Sequence, residues 1–344
     1  MSRWAVILAG GVGSRFWPLS TPSRPKQLLP LVTKRPLLVD TVRRLAPSVP
    51  PSRTLIITNA TLATAVRRAL TSLPKRNVIA EPKSAGTAPA LTWAAVEILR
   101  RDPEGTMLCV HADWAIADED GFRASLARAA EVAEESRRLV TVGVVPTRPD
   151  PGFGYIRPGG AAGPHARRVD RFIEKPDRAT AGKLIADGCV WNSGIFVWRA
   201  ADFLGEVRAH CPEVSVALPK AEQGKLRAFF RACTPISVDH GVLERSGKVL
   251  VVPGDFGWDD VGTWAALHRV RARDGSDNAT AGDAHLVQSR GNVVHTDDHT
   301  VVLYGVHDLV VVARDGITLV TTREKAADLK TLVDALPPKV RDRR

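Results

Sequence analysis

The sequence contains few cysteines and no long apolar run. Its four cysteines, Cys109, Cys189, Cys211 and Cys233, lie far apart and form no C-x-x-C pair. This spacing argues against a disulfide framework or a zinc motif, so we expect reduced thiols in a cytoplasmic protein. No apolar stretch reaches the roughly 18 residues of a membrane span, and the start, RWAVILAGG, shows no signal-peptide cleavage site. We therefore expect neither a membrane partner nor export.

Acidic residues are in deficit. The 48 lysines and arginines outnumber the 37 aspartates and glutamates, which gives a formal net charge of +11 at pH 7. This charge is compatible with a nucleic acid, a membrane surface or a phosphorylated small molecule as partner. The basic residues are scattered and are not interleaved with the stacking aromatics that a single-strand binder needs. We expect a solvated basic surface and no nucleic-acid partner; nucleic-acid binding is an alternative that rests on the net charge alone.

The glycine-rich stretch LAGGVGSRFWPLS lacks both familiar phosphate-binding patterns. A P-loop requires Lys-Ser or Lys-Thr, and neither follows here. A dinucleotide loop requires a third glycine, but Phe16 stands in its place, and Pro18, Pro22 and Pro25 prevent a long helix. Glycines after a buried strand allow close approach to a ligand. We therefore expect this loop to bind phosphate with side chains as well as with its backbone.

The first 150 residues alternate between apolar runs and amphipathic stretches. WAVILAG, TLIITNA, TMLCVHAD and LVTVGVVP are typical of buried strands, and the segments between them have helical spacing. This alternation predicts an α/β fold, with a Rossmann-like, mixed and mostly parallel sheet flanked by helices. We assign residues 1–273 to this domain, including a small antiparallel insertion after residue 150. Within it, the segments 63–73 and 220–232 are each predicted as one helical stretch.

The end of the chain has a different pattern. The polar segment 274–283 is a predicted linker. Short β-branched runs with turn residues about every eight positions follow it, which predicts a small all-β module over 284–344 that ends in a helix. A short parallel β-helix and a meander both fit this spacing.

Carboxylates follow two of the predicted strands of the sheet. Asp113 ends the strand TMLCVHAD, and Asp259 and Asp260 follow KVLVVPGDFGW. Ligands of open α/β sheets bind at the carboxyl ends of the strands, and Mg²⁺ is commonly held by one or two carboxylates together with water and phosphate oxygens. The alternative for Asp113 is a helix cap or turn residue. One of Asp259 and Asp260 is expected to cap the following helix.

Cations accompany these features. Arg15, Arg24 and Lys26 lie in a proline-stiffened segment beside the glycine loop, which favours phosphate binding. Lys175 adjoins Glu174 in RFIEKPD; the pair could bind a sugar phosphate, or form an exposed ion pair of little energetic value. Asn192-Ser193-Gly194 interrupts an apolar strand, and such polar breaks often face a ligand or form a bulge.

These residues resemble the signature of the sugar-nucleotide pyrophosphorylases. LAGGVGSRFWPLS with RPKQ is similar to the mannose-1-phosphate guanylyltransferase branch, in its short form without an isomerase domain. GTAPAL, FGYIRPG, RFIEKPD, WNSGIFVW and DFGWDDVGTW resemble the later motifs of that family, in the same order. The resemblance runs from about residue 4 to 270, and the β-rich tail also fits. It implies the nucleotide-diphospho-sugar transferase fold, and a left-handed form if the tail is a β-helix.

The resemblance also implies an activity: mannose 1-phosphate attacks the α-phosphorus of GTP, and GDP-mannose and pyrophosphate form. Arg15 and Lys26 would be the catalytic residues that grip the triphosphate, and Asp113 and Asp260 would hold Mg²⁺. The nucleotide-binding residues would be Leu8, Gly10, Gly11, Gly13, Ser14, Arg15, Lys26, Glu81, Pro82, Thr87 and Asp113, with Glu81 and Pro82 near the base. The sugar-phosphate-binding residues would be Gly154, Glu174, Lys175 and Asn192.

The sequence departs from the family pattern at two motifs. Ala85-Gly86 replaces the usual Arg-Asn before Thr-Ala-Pro, so a contact made by that arginine is missing. His-Ala-Asp-Trp replaces Pro-Ala-Asp-His around Asp113. The alternatives are a relative that uses another sugar 1-phosphate or nucleotide, and a catalytically inactive regulatory homologue. The expected partners are the two small-molecule substrates and, for the assembly, a homodimer.

Overall fold

Alternating strands and helices build most of the chain. The computed structural model describes residues 1–11, 14–21 and 24–341. The strands are β1 (Arg3–Leu8), β2 (Thr54–Asn59), β3 (Val78–Glu81), β4 (Thr106–His111), β5 (Ala115–Ile116), β6 (Leu139–Val144), β7 (Tyr155–Ala161), β8 (Arg167–Ile173), β9 (Val190–Arg199), β10 (Val249–Gly254), β11 (Trp258–Asp259), β12 (Ala279–Ala281), β13 (Ala284–Val287), β14 (Val293–Thr296), β15 (Val301–Tyr304), β16 (Leu309–Arg314) and β17 (Ile317–Thr322).

The helices include several short ones. The α-helices are α1 (Leu37–Leu45), α2 (Ala63–Ala69), α3 (Thr87–Leu99), α4 (Glu119–Ser136), α5 (Arg178–Ala186), α6 (Ala200–His210), α7 (Pro212–Ser215), α8 (Leu218–Glu222), α9 (Leu226–Ala232), α10 (Trp264–Val270), α11 (Leu329–Ala335) and α12 (Pro338–Arg341). The 3₁₀ helices cover Ser14–Phe16, Lys26–Leu28, Pro51–Arg53, Lys75–Asn77 and Lys325–Asp328, and Asp239–Leu243 forms a π-helical turn.

By contact, the chain forms two compact units. Unit 1 comprises Met1–Gly10, Val42–Ala112 and Asp118–Gly257, and unit 2 comprises Gly11–Thr41, Asp113–Ala117 and Trp258–Arg344. The predicted division into 1–273, 274–283 and 284–344 stays a prediction. Part of the predicted linker forms β12, which pairs with β14.

Unit 1 contains a nine-stranded sheet with the order β3-β2-β1-β4-β9-β6-β10-β8-β7. Its parallel pairings are β1–β2, β2–β3, β1–β4 and β6–β10, whereas β9 runs antiparallel between β4 and β6. Helix α3 is buried along most of its length and belongs to the main apolar cluster of the unit. This architecture confirms the predicted α/β class with a mixed, mostly parallel sheet.

Two local expectations in unit 1 need correction. The segment 220–232, predicted as one helical stretch, forms α8 and α9 separated by Gly224, which has φ +74°. A residue in this left-handed region ends a helix, and glycine adopts it without steric cost. Helix α2 also ends at Ala69, four residues before the end of its predicted range.

Unit 2 contains parallel β-coils. Strands β12, β14 and β16 pair in parallel, β13 pairs in parallel with β15, and β17 joins antiparallel, to β16. Parallel pairing of alternate short strands, such as β12 with β14 and β13 with β15, favours the β-helix over the meander. Asn278 and Asn292 are buried at successive turns, and the Asn292 side chain donates to Asn278 Oδ1 and accepts from the Leu309 backbone. The predicted left hand of this coil stays a prediction.

The core of unit 2 joins residues from distant parts of the chain. Phe16 and Trp17 pack in one apolar cluster with Trp264, with valines of β14 and β16, and with Leu329. The Phe16 and Trp264 ring centroids lie 5.4 Å apart. Among the described residues, no helix combines the length and the apolar character needed to cross a bilayer.

Candidate functional site

The glycine-rich loop begins where β1 ends. Leu8, the last residue of that strand, is buried, and Gly10 and Gly11 are exposed. A Cβ built on Gly10 would lie 3.6 Å from Glu81 Oε2, and one on Gly11 would meet nothing within 4 Å. The protein itself therefore does not require glycine at these two positions, which is consistent with space kept for a ligand.

The rest of this loop is described in part. Gly13 lies outside the described residues, and Ser14 opens a 3₁₀ helix, although its side chain lies outside the description. Arg15 is exposed in that helix. In unit 2, Gln27 Nε2 donates to the Gly11 carbonyl over 2.9 Å, which ties the loop to the segment that carries Lys26.

Lys26 is the centre of a charged cluster in unit 2. Its side chain is 7% exposed, and its Nζ contacts Asp113 Oδ2 at 3.0 Å and donates to the Asp260 carbonyl at 2.7 Å. Asp113 follows β4, and Asp260 follows β11. The structure thus brings together three residues that the sequence predicted for one function, although they are separated by up to 234 positions.

Asp260 lies in a tight turn that holds its carboxylate in place. Its Oδ1 accepts from the Gly262 backbone at 3.0 Å, and a Cβ at Gly262 would lie only 2.6 Å from Asp260 Oδ2. Val261 between them has φ +47°, in the left-handed region that β-branched residues rarely adopt. Burial raises the pKa of Asp260, and nearby Asp259 and Asp113 add to this, while Lys26 opposes it.

Asp259 has a structural role. It is buried, its Oδ1 accepts from the Val261 backbone at 2.9 Å, and its Oδ2 forms an ion pair with Arg269 at 2.8 Å. The expectation that Asp259 or Asp260 caps the next helix is wrong, because Thr263 is the N-cap of α10 and its side chain accepts from the Ala266 backbone. The hydroxyl at this position is the nearer acceptor for the first turn.

Glu81 ends β3 in unit 1, beside Gly10. Burial raises the pKa of Glu81 to about 7, because no water-rich environment stabilises its charge. Pro82 after it is exposed. A carboxyl group that is buried next to a glycine loop and titrates near neutrality is typical of binding sites.

The region that departs from the family motif has a local explanation. Gly86 has φ +88°, and a Cβ there would lie 2.2 Å from the Ile236 carbonyl oxygen. Only glycine fits this close contact. Thr87, the first residue of α3, accepts from the Val238 backbone through its hydroxyl at 2.8 Å. The Thr87 hydroxyl thus has a structural partner in unit 1.

The four predicted sugar-phosphate residues lie together in unit 1. A Cβ at Gly154 would be 3.0 Å from Glu174 Oε2 and 3.5 Å from the Asn192 Cβ, and the Gly154 carbonyl accepts from the Asn192 backbone. Lys175 Nζ contacts Glu174 Oε1 at 2.6 Å, and both side chains are more than half exposed. Lys175 has φ +39°, a strained backbone of the kind found at functional positions.

Asp239 lies beside Asn192 in this cluster, and the sequence analysis did not identify it. Asn192 Nδ2 donates to Asp239 Oδ1 over 2.8 Å, and burial raises the pKa of Asp239. The Asn192 Oδ1 is buried and has no hydrogen-bond partner in the part of the chain that the structure describes. Asp239 opens the π-helical turn, and single π turns are frequent at functional sites. Its flanking sequence, ISVDHGVLE, carries no motif that singles it out.

The donor set of the Lys26 cluster fits a divalent cation. No group of three His, Cys, Asp or Glu side chains suited to a metal ion occurs among the described residues. Mg²⁺ needs only one or two carboxylates when phosphate and water supply its remaining ligands. Asp113 contacts the Lys26 ammonium through its carboxylate and Asp260 through its backbone carbonyl. The raised pKa of Asp260 reflects a desolvated carboxylate that a cation would stabilise.

Comparisons with known proteins bear on this site. The family model described as nucleotidyl transferase matches residues 4–276, and that described as MannoseP isomerase/GMP-like beta-helix domain matches residues 282–336. The Xanthan biosynthesis protein XanB of Xanthomonas campestris pv. campestris (strain B100) is 37% identical over 96% of this chain and 72% of its own length. The mannose-1-phosphate guanylyltransferase of Escherichia coli is 36% identical over 96% of this chain and 73% of its own length.

A solved structure extends the comparison to the fold. The crystal structure described as mannose-1-phosphate geranyltransferase from Thermus thermophilus superposes with a TM-score of 0.91 and 36% identity. The match covers 97% of this chain and 99% of that one. Both the α/β portion and the β-coils therefore have a counterpart in one related chain.

Proposed function

Since the chain belongs to the nucleotidyl transferase family, we propose that it transfers a guanylyl group from GTP to α-D-mannose 1-phosphate. A phosphate oxygen of the sugar phosphate forms a bond to the α-phosphorus of GTP. The bond from that phosphorus to the bridging oxygen of the β-phosphate breaks, and pyrophosphate leaves with the electron pair. The attacking oxygen is already anionic, so no Ser-His-Asp arrangement is required, and catalysis consists of positioning and charge neutralisation.

The buried Lys26 ammonium is the observation that carries the proposal. A cation that is 7% exposed and contacts the Asp113 carboxylate and the Asp260 carbonyl is preorganised for an anion. We assign Lys26 and the exposed Arg15 to the triphosphate, where they neutralise charge that increases on the leaving group. A Cβ on Gly11 would meet nothing within 4 Å, so this position leaves room for a phosphate group.

Asp113 and Asp260 are the proposed ligands of Mg²⁺. When bound, the ion would lower the repulsion between the triphosphate and the anionic nucleophile. The residues themselves supply two carboxylate oxygens, and Lys26 keeps Asp113 in place before the ion binds. Asp259 is excluded from this role because its carboxylate is already used by Arg269 and the Val261 backbone.

Glu81 is the proposed reader of the base. Guanine presents two neighbouring N–H donors on its Watson–Crick edge, and a carboxylate can accept from both. The buried Glu81 carboxyl beside Gly10 supports this assignment. Its pKa of about 7 implies that the base must bind the ionised form at some cost, which two charge-assisted hydrogen bonds would offset.

The acceptor sugar is assigned to the cluster around Gly154. Lys175 would bind the phosphate of mannose 1-phosphate, and Glu174 and Asn192 would accept from mannose hydroxyls. The buried Asn192 Oδ1, which has no hydrogen-bond partner among the described residues, supports this assignment. A buried acceptor without a donor is energetically costly, and a mannose hydroxyl would supply the donor. Asp239 is a positioning residue that fixes the Asn192 amide, so that its oxygen and not its nitrogen is presented.

A substrate matrix tests the proposal. Purified protein with Mg²⁺ is assayed for pyrophosphate release with GTP, ATP, UTP, CTP or dTTP against the 1-phosphates of mannose, glucose, galactose and fucose. We expect the highest kcat/KM for GTP with mannose 1-phosphate. A tenfold higher value for UTP or dTTP, equivalent to about 1.4 kcal/mol, would falsify the guanylyl assignment, and no turnover with any pair would indicate an inactive regulatory homologue.

A relative with another substrate pair is the second candidate. Gly86 and its contact with Ile236 replace the arginine-containing motif of the family, so one side-chain contact used by relatives is absent. If that contact selects the base, a nucleotide other than GTP should have the highest kcat/KM in the same substrate matrix, while mannose 1-phosphate remains the preferred acceptor.

A further inference from the structure

A cavity in unit 2 lies outside the proposed transfer site. It has a volume of about 800 Å³, within the range of small-molecule sites. Its lining combines two cations, Arg271 and Lys34, with the carboxylates Asp297 and Asp298 and the hydroxyl of Thr33. None of these residues has a role in the nucleotidyl transfer proposed above.

Arg271 is buried without a counter-ion among the residues that the structure describes. Three arginines are buried in the described chain, and two of them contact a carboxylate: Arg44 pairs with Glu119 at 3.4 Å, and Arg199 pairs with Glu104 at 2.9 Å. Arg271 makes no such contact among the described residues. Its Nε donates to the Leu31 carbonyl at 2.7 Å, and its Nη1 is buried with no hydrogen-bond partner in the described structure.

The second contact of Arg271 does not neutralise it. Its Nη2 donates to His295 Nδ1 at 3.0 Å, and His295 Nε2 faces Asp297 Oδ1 at 3.2 Å. Burial and the nearby guanidinium lower the pKa of His295 to about 4, so the ring is neutral at pH 7. Asp297 reaches Arg271 only through this ring, and its other oxygen pairs with Arg314 at 2.9 Å.

An uncompensated buried cation is expensive. Burial lowers the pKa of Arg271 to about 10, which expresses the penalty on its charge. A native protein rarely keeps such a group without a partner, and the partner can be a bound ligand. An anion in the cavity would meet the guanidinium, and Lys34, which is exposed and has no ion pair in the described part of the chain, would add a second charge.

We propose that this cavity binds a phosphorylated polyhydroxy compound, with its phosphate at Arg271 and Lys34. A guanidinium fork and an ammonium match phosphate oxygens. The carboxylates Asp297 and Asp298 oppose a purely anionic ligand. Asp297 is already engaged by His295 and Arg314, so Asp298 is the acceptor available for hydroxyl groups. A ligand with one phosphate and several hydroxyls satisfies both ends of the lining. The site is independent of the proposed transfer reaction.

The cavity adjoins segments that carry the proposed active-site residues. Leu31, whose carbonyl binds Arg271, follows Lys26 by five residues, and Arg271 follows α10, which begins four residues after Asp260. Occupancy would fix both segments in unit 2. A ligand here would therefore raise the thermal stability of the protein even when the transfer site is empty.

Glucose 6-phosphate is the probe for this site. Its phosphate is not on the anomeric carbon, so it is not an acceptor in the proposed transfer. Calorimetric titration of the full chain without nucleotide should show one molecule bound per chain, with a Kd of about 1 mM or lower, and a rise in Tm. Inorganic phosphate should bind about tenfold or more weakly, because it lacks the hydroxyls. Equal binding of the two would refute the polyhydroxy part of the proposal.

Matched variants locate the binding. Lys34→Gln removes one exposed charge and should weaken glucose 6-phosphate binding about tenfold, as should Arg271→Gln if that variant folds. Lys330→Gln removes the same charge from an exposed position on α11 and should leave binding unchanged. Absence of binding to the wild-type protein at millimolar probe, or equal affinity in Lys34→Gln and Lys330→Gln, would overturn the proposal. Neither result depends on whether guanylyl transfer is observed.

Discussion

The adjacent pair Asp259 and Asp260 permits a test in which stability and activity respond in opposite ways. Asp260→Asn keeps the acceptor for the Gly262 backbone and removes a charge that burial already penalises. The free energy of unfolding at pH 7 should therefore stay the same or rise. The turnover number should fall about 100-fold or more, the usual loss for one preorganised electrostatic contact.

Asp259→Asn is the matched control. It leaves Asp260 and Lys26 unchanged but breaks a buried carboxylate's pair with Arg269, whose own side chain is 36% exposed. Removal of one partner of a fully buried pair costs about 3–5 kcal/mol, and partial exposure of Arg269 reduces this to about 1–3 kcal/mol. The turnover number of this variant should remain within about threefold of the wild type, since no proposed ligand is lost.

Asp113, the other proposed metal ligand, completes a double-mutant cycle with Asp260. Asp113→Asn should also lower kcat about 100-fold, and the Asp113→Asn/Asp260→Asn double variant should lose much less than the product of the two effects, because both carboxylates would serve one ion. Urea unfolding gives the stabilities, and kcat is measured across a Mg²⁺ titration. If Asp259→Asn is the inactive variant while Asp260→Asn is active, the metal assignment is off by one residue. Full activity of Asp113→Asn would refute the shared-metal hypothesis.

Three further predictions concern buried polar groups. The pKa of Glu81 is raised from 4.5 to about 7, so the folded state holds this proton more tightly than the unfolded state and stability is lost as pH rises through that interval. In urea unfolding, Glu81→Gln should match the wild type near pH 4.5 and be more stable by up to about 3 kcal/mol near pH 8. A stability difference that grows toward low pH would contradict this. Asp239→Ala should lower kcat/KM for mannose 1-phosphate about tenfold and leave KM for GTP unchanged. Asp239→Asn still accepts from Asn192, so it should retain most of the wild-type kcat/KM. An equal loss for both substrates would indicate a merely structural role. Asn292→Ala removes the side-chain hydrogen bonds with Asn278 and Leu309 and should lower the free energy of unfolding in urea by about 2–4 kcal/mol. A decrease below about 0.5 kcal/mol would argue against the buried asparagines as a source of stability.

The elements of the sheet could be predicted because strands buried on both faces appear as continuous apolar runs. β1 and β4 were recognisable in this way. The direction of β9 was not, because CVWNSGIFVW has the same apolar pattern whether its neighbours run parallel or antiparallel. The break at Gly224 was missed because both flanking segments keep helical spacing, and only the backbone angle separates them.

The candidate site could be predicted only where a residue stands in a motif. Lys26, Asp113 and Asp260 were named from their positions, and the structure places them in one cluster, while their roles stay predictions. Asp259 and Asp260 cannot be told apart by residue type. In the structure the Asp259 carboxylate pairs with Arg269, whereas Asp260 contacts Lys26 through its backbone carbonyl. Asp239 was missed because its significance lies in the long-range contact with Asn192.

The shared core of unit 2 limits how this chain can be rearranged in evolution or in the laboratory. Phe16 and Trp17, which directly follow the exposed Arg15, pack against residues of β14, β16 and α11. The glycine-rich loop therefore continues into residues that pack against the β-coils. A chimera joined near residue 273 would replace that packing surface with one from another protein. Such a hybrid should lose the proposed guanylyl transfer even if both halves fold, unless the loop and the coils are exchanged together. Substitutions in these two distant stretches are therefore expected to co-vary.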